Sequence, residues 1–236
     1  MYVTAIILAA GRSQRLGSAL SKSLIPINGR SVIMYCLRAF SIHPLINDLI
    51  VVVNDDNSRP IAAQIKKYHI RKVKALVRGG VRRQDSVKHG LRALADTTDL
   101  VLIHDAARPF IDKDMIATVI KEAYSSGAAI TGVPVKATIK IVDSRKSIVR
   151  SKFVVKKTLD RSKLWEIQTP QAFRKDLIAR AYASQGALEV TDDAMLVEKL
   201  GAKVAVVMGS YNNIKITTPE DLVIAEAILK KGLCKV

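Results

Sequence analysis

The residues with the clearest capacity for chemistry come early in the chain. The stretch IILAAGRSQRLGSALSKS, residues 6–23, ends an apolar run at Gly11 and then supplies Arg12, Arg15 and Lys22. A strand, a glycine turn and a basic loop in that order suit a triphosphate. Main-chain N–H groups beyond the glycine form a cradle, and the cations add point charges. Two common phosphate loops do not fit. A dinucleotide fingerprint needs G-x-G-x-x-G, but Ser13 and Leu16 hold the second and third glycine positions. A Walker A loop needs glycine before its lysine, and Ser21 precedes Lys22. Taken alone, the stretch also reads as a surface loop with incidental cations.

The elements that must position this loop follow from periodicity. Aliphatic runs at 3–9, 49–53, 73–77, 100–104, 128–135 and 203–207 suit buried strands. Between them, 31–40, 61–68, 85–94 and 114–124 repeat apolar residues at i, i+3 and i+4. Further helices are expected at 192–200, with Thr191 as N-cap, and at 219–231, with Thr218 as N-cap and Pro219 at the first position. Strand and helix in alternation imply a mainly parallel sheet, which places ligands at the carboxyl ends of its strands. Residues 136–160 break the rhythm. They alternate apolar and charged residues around DSRK and are too basic for a core, so they read as an antiparallel hairpin projecting as an arm.

Composition narrows the class. At 236 residues, 49% hydrophobic and 25% charged, the chain can bury a large core and reads as one α/β domain with an appendage. Cys36 and Cys234 lie far apart and form neither a disulfide framework nor a metal knuckle. The four histidines, His43, His69, His89 and His104, show no metal-ligand spacing. The opening MYVTAIILAAG has no basic region before its apolar run, which is too short to span a bilayer. A cytoplasmic protein without a membrane anchor is expected. The net charge of +17 admits nucleic acid as a partner. However, the cations are dispersed and aromatic residues make up only 5%, so stacking platforms for single strands are scarce and no specific nucleic acid is expected.

A resemblance then joins these features. LAAGRSQRLGS with SKS is similar to the A-A-G-x-G-x-R-[ML]-G and P-K signature of sugar-phosphate nucleotidyltransferases. HDAARPF (104–110), TLDRSKLWEIQTPQAF (158–173), VTDDAM (190–195) and NIKITTPEDL (213–222) resemble, in the same order, segments of the cytidylyltransferases that act on 2-C-methyl-D-erythritol 4-phosphate. The resemblance covers essentially the whole chain. It implies an α/β Rossmann-like fold whose projecting arm builds a homodimer. The implied reaction is CTP plus the polyol phosphate giving a CDP-linked polyol and pyrophosphate, with Mg²⁺, in non-mevalonate isoprenoid biosynthesis. Ser13, Ser21, Ser23 and Val81 depart from the family pattern.

The resemblance also assigns roles. Arg15 and Lys22 match the two cations that stabilise the transition state. Asp105 follows the strand at 100–104, and its place at that carboxyl end suits holding Mg²⁺ or orienting the triphosphate, with Arg108 a further nucleotide-binding candidate; a helix cap or an Asp105–Arg108 salt bridge is the plainer alternative. Ala9, Ala10, Gly11, Gly80 and Ser86 match nucleotide contacts. Arg161 and Lys215 match residues that position the polyol phosphate, and Thr138, Thr169 and Thr191 match hydroxyl contacts to the polyol, with Asp192 or Asp193 near the pocket mouth. Because Thr138 and Arg161 bracket the arm, they are expected to reach the neighbouring subunit's site. Two alternatives stay open: a ribitol 5-phosphate cytidylyltransferase, and an inactive relative that binds nucleic acid.

Overall fold

The computed structural model describes residues 1–11, 21–143, 153–186 and 189–233. Arg15, Cys234 and the tip of the arm lie outside the described residues. In chain order the strands are β1 (Val3–Leu8), β2 (Pro26–Ile27), β3 (Arg30–Ser31), β4 (Asp48–Val53), β5 (Val73–Arg78), β6 (Leu100–Asp105), β7 (Ala128–Pro134), β8 (Lys140–Asp143), β9 (Val154–Thr158), β10 (Trp165–Arg174) and β11 (Ala205–Met208). The helices are α1 (Val32–Ile42), α2 (Asp55–Lys67), α3 (Arg83–Arg92), α4 (Lys113–Ser126), α5 (Lys175–Ala183), α6 (Ala194–Lys199) and α7 (Pro219–Lys230).

Seven strands form one sheet in the order β11-β7-β10-β6-β1-β4-β5. β1 runs parallel to β4 and β6, β4 to β5, and β11 to β7. Only β10 opposes its neighbours, pairing antiparallel with β6 and β7. The aliphatic runs fall where expected. β1, β4 and β6 are buried along nearly their whole length, while edge strand β5 alternates half-buried and exposed. α1, α2 and α4 bury Phe40, Leu37, Ile61, Ile116 and Val119 against one sheet face. α3, α5 and α6 bury Val87, Ile178, Tyr182 and Leu196 against the other.

Three differences from the sequence reading have local causes. β10 and α5 were not foreseen. β10 carries Pro170, which argues against a central strand. In the structure Pro170 lies where the β7–β10 register shifts between Ile167 and Gln171, so its missing N–H interrupts no ladder there. α2 begins six residues before the expected apolar pattern and contains Pro60. Asn54 and Asn57 cap its first turn reciprocally, each side chain accepting from the other's N–H. Thr191 does not cap α6: that helix starts at Ala194 after Asp193, and Asp192 Oδ1 accepts from the Met195 N–H. By contrast, Thr218 caps α7 with Pro219 in its first turn, and Asp221 receives the Thr218 N–H.

β8 and β9 form a separate antiparallel pair within the predicted arm. Ile141, Val142, Phe153 and Val155 are exposed on it or beside it.

Candidate active site

The carboxyl ends of β1, β4, β5 and β6 bring four segments together. After β1, Ala9 is buried, Ala10 half-buried and Gly11 exposed. Their carbonyls are fixed from α2: Asn57 Nδ2 donates to the Ala9 carbonyl at 2.8 Å and Asn54 Nδ2 to the Ala10 carbonyl at 3.3 Å. Asn57 is fully buried and also donates to Ser21 Oγ at 3.0 Å and Ser23 Oγ at 3.2 Å. Ser21 and Ser23, two of the three serines that depart from the family pattern, are thus part of the brace that carries Lys22. Sequence reasoning missed Asn54 and Asn57, whose N-x-x-N spacing was the available capping signal.

After β5, Gly79 and Gly80 are required by space rather than by backbone angle. A Cβ on Gly79 would collide with Ala10 and lie 2.8 Å from Ser86 Oγ, and one on Gly80 would collide with Asp85. The Gly80 N–H donates to Ser86 Oγ at 3.1 Å, and Ser86 is buried. Nucleotide-contact candidates Ala10, Gly80 and Ser86 therefore sit together around Gly79, with Ala9 buried next to Ala10.

The charged centre lies at the end of β6. Asp105 is nearly buried. Lys215 Nζ is 2.6 Å from its Oδ2, and Arg83 Nε donates to its Oδ1 at 3.1 Å. Burial alone would raise the carboxyl; the charges of Arg83 and Lys215 outweigh it and hold Asp105 well below the usual carboxylate range. The plainer alternative of an Asp105–Arg108 salt bridge gives way to these two pairs. Arg108 is buried. Its Nη1 donates to the Asn213 carbonyl at 2.8 Å, and its own N–H donates to the Asp105 carbonyl at 2.9 Å. Burial lowers the pKa of its guanidinium, and its Nε has no hydrogen-bond partner among the described residues. Arg108 thus grips the segment that carries Lys215. That segment returns to the first loop as well, where Lys22 Nζ donates to the Thr217 carbonyl at 3.2 Å.

Thr169 stands behind Asp105 rather than beside open solvent. Its Oγ1 accepts the Asp105 N–H at 3.1 Å and lies 3.1 Å from His104 Nδ1. His104 Nε2 lies 3.0 Å from the Arg108 carbonyl, so it must be the N–H donor, and Nδ1 accepts the Thr169 hydroxyl proton. Burial pushes the fully buried His104 down to about 4, leaving a neutral imidazole in this chain.

The other polyol candidates are spread more widely. Thr138 is exposed, and Arg161, in a one-turn 3-10 helix at Arg161–Lys163, donates to the Lys136 carbonyl at 2.7 Å at the base of the arm. Thr191 is exposed on the turn before α6. Asp193 is fully buried and so is not at a pocket mouth; Asp192 is half-buried and accepts from Gln171 Nε2 at 2.9 Å. Asp193 instead takes Arg83 Nη2 at 2.9 Å and the Tyr182 hydroxyl at 2.5 Å. Sequence reasoning missed Arg83 and Gln171. In sequence Arg83 is one of the dispersed cations, and nothing in the run Val81–Arg82–Arg83 distinguishes Arg82, paired on the surface with Asp85, from Arg83, paired inside.

A divalent ion has no ready cage here. Among the described residues, no group of three His, Cys, Asp or Glu side chains is placed to hold one, and both Asp105 oxygens already face cations. Likewise, no helix among the described residues is long and apolar enough to cross a membrane.

A mainly parallel α/β sheet with cations, packed glycines and one paired acid at its carboxyl ends defines a protein built to hold phosphorylated ligands. Residues 3–231 match the 2-C-methyl-D-erythritol 4-phosphate cytidylyltransferase family, and the chain belongs to that family. The chain is 46% identical to the enzyme of that name from Syntrophotalea carbinolica, covering 97% of both chains. It is 43% identical to that from Alkaliphilus metalliredigens, over 97% of this chain and 93% of the relative. Its fold matches the crystal structure of the 4-diphosphocytidyl-2C-methyl-D-erythritol synthase from Anaerococcus prevotii with a TM-score of 0.84 at 35% identity, covering 97% of this chain and 98% of that one.

Proposed function

We propose that this chain transfers the cytidylyl group of CTP to 2-C-methyl-D-erythritol 4-phosphate in isoprenoid biosynthesis. A phosphate oxygen of the polyol attacks the α-phosphorus, the bond from that phosphorus to the bridging oxygen breaks, and pyrophosphate leaves with the electron pair. The observation that carries the reading is the junction of Lys22, Asp105 and Lys215. The 213–217 segment presents Lys215 to Asp105 and the Thr217 carbonyl to Lys22, so one strand of chain links the nucleotide loop to the phosphate-gripping lysine.

A phosphate is already a nucleophile at neutral pH, so the task is to hold two anions in line and stabilise the charge that develops. Lys22 and Arg15 supply positive charge at the α-phosphate. Ala9, Ala10, Gly11, Gly80 and Ser86 take the base and ribose. Lys215 and Arg161 hold the polyol phosphate, with Thr138 and Thr191 toward its hydroxyls. Thr169 acts through Asp105, whose main chain it fixes. A Mg²⁺ ion bound with CTP would neutralise charge on the triphosphate. Asp105 is the protein carboxylate placed to meet it or to orient the lysine beside it.

The arm supports a homodimer. Ile141, Val142, Phe153 and Val155 expose apolar surface on a two-stranded element that cannot bury it alone. In that dimer Arg161 and Thr138 complete the partner's site. A reducing, cytoplasmic setting suits the buried thiol of Cys36, which burial raises well above the usual range.

The test measures pyrophosphate release from CTP with methylerythritol phosphate and ribitol 5-phosphate side by side. The branch methyl alone contributes about 10–200-fold of discrimination, so a preference for methylerythritol phosphate of at least about 100-fold in kcat/KM is expected. Equal or reversed preference would move the substrate to ribitol phosphate, and no turnover with either would end the reading.

A further inference from the structure

Arg83 opens α3, yet its guanidinium is bound into the fold. Nε donates to Asp105 Oδ1 at 3.1 Å and Nη2 to Asp193 Oδ2 at 2.9 Å. The two acids come from different parts of the chain. Asp105 ends β6, and Asp193 closes the turn that carries Thr191. Each acid's second oxygen is also taken, Asp105's by Lys215 and Asp193's by Tyr182. The result is a continuous chain of three ion pairs closed by a hydrogen bond, Lys215–Asp105–Arg83–Asp193–Tyr182. Its members differ in access to solvent. The Lys215 side chain is 42% exposed, Arg83 is 29%, Asp105 is 11% and Asp193 is 0%. The one end that can turn outward is the lysine.

We propose that Arg83 is a positioning residue for the transfer, acting through Asp105 on Lys215 and through Asp193 on the 190–193 turn; this rests on the function proposed above. Lys215 can lean toward an incoming phosphate only if the carboxylate it leaves keeps another partner. An acid this far from water, stripped of its cation, is strongly destabilised. Arg83 is that second partner. It shares the charge of Asp105, weakens the hold on Lys215 and keeps the acid paired while the lysine engages substrate. Its planar fork grips two carboxylates at once, which the point charge of a lysine cannot do. The Gln171 side chain secures the same turn from β10: its Oε1 accepts the Asp193 and Ala194 N–H groups at 3.2 and 3.3 Å. The turn is therefore tied both to α3, through Arg83, and to β10, through Gln171.

The experiment is steady-state kinetics of Arg83→Gln and Arg83→Lys beside wild type, with CTP and methylerythritol phosphate varied separately and Tm measured on each protein. Loss of a residue that orients a binding group costs about 10–100-fold. Arg83→Gln should therefore raise KM for the polyol phosphate by about tenfold or more, while KM for CTP stays within about twofold. Arg83→Lys should recover part of the Tm and little of the polyol KM. If Arg83→Gln does not fold, the same split is read on Arg83→Lys. Polyol KM unchanged in the folded variants, with kcat and Tm falling together, would assign Arg83 a purely structural role and overturn the inference. A wild type that does not transfer the cytidylyl group to this polyol would overturn the underlying function instead.

Discussion

Replacing Thr169 by valine tests whether this threonine braces Asp105 or touches the polyol. The substitution keeps the shape and removes one donor and one acceptor. Two groups then lose their partners: the Asp105 N–H, which Thr169 Oγ1 accepts, and His104 Nδ1, to which the hydroxyl donates. His104 is fully buried and Asp105 is nearly so, which leaves little room for water to replace either bond. Each buried group left unsatisfied costs about 1–3 kcal/mol, so the pair should cost at least about 2 kcal/mol. In a chain of this size a loss of 1 kcal/mol lowers Tm by roughly 2–4 °C, so Thr169→Val should melt at least about 4 °C lower. Thr169→Ser keeps both atoms and should recover most of the loss. Scanning calorimetry on the three proteins, with polyol KM measured alongside, decides the matter. A valine variant with wild-type Tm and a raised polyol KM would refute the brace and restore Thr169 as a direct hydroxyl contact.

Other outcomes follow from the same geometry. Lys22→Met should lower kcat by about 100–1,000-fold with much less change in CTP binding, as loss of a transition-state donor does, and near-normal turnover would remove Lys22 from that role. Mixing Lys22→Ala with Arg161→Ala subunits should restore activity after subunit exchange, because each heterodimer then holds one site with both residues intact; verified exchange without recovery would confine Arg161 to its own subunit. His104 binds its proton more weakly folded than unfolded, so its contribution to stability is complete above about 6.5 and is lost as pH falls toward about 4. Tm of the wild type should drop across that window and His104→Gln should flatten the profile there; parallel profiles would show that another group sets the acid limit.

Much of the fold was legible because the sheet interior follows a simple rule. Strands buried on both faces must be aliphatic throughout, and β1, β4 and β6 announce themselves that way. β10 is equally central but carries a polar load. Gln168 donates to the Ser210 carbonyl, Thr169 holds Asp105 and Gln171 holds the 190–193 turn. A strand whose buried side chains work as hydrogen-bonding struts reads as a loop, and Pro170 completes the disguise. The same residues had been recognised as a motif without being recognised as a strand.

The candidate site divides along a similar line. Lys22, Asp105 and Lys215 were identifiable because each sits in a motif whose residue type announces charge. What made them a site was not identifiable, because it depends on pairs far apart in sequence: Arg83 with Asp193, Arg108 with Asn213, Asn57 with Ser21. Periodicity cannot separate Arg82 from Arg83, since they are neighbours of one type at the start of one helix. Only the turn of α3 sends one to Asp85 at the surface and the other between two buried acids. The serines flanking Lys22 make the converse point. They depart from the family pattern, yet both accept from Asn57, a residue of α2, and hydroxyls suit an amide donor well. Ser21 and Ser23, beside Lys22, are therefore held by a partner that lies in another element. Asn57→Ala, which removes three side-chain donations from one buried amide, should disturb Lys22 more than replacing either serine alone.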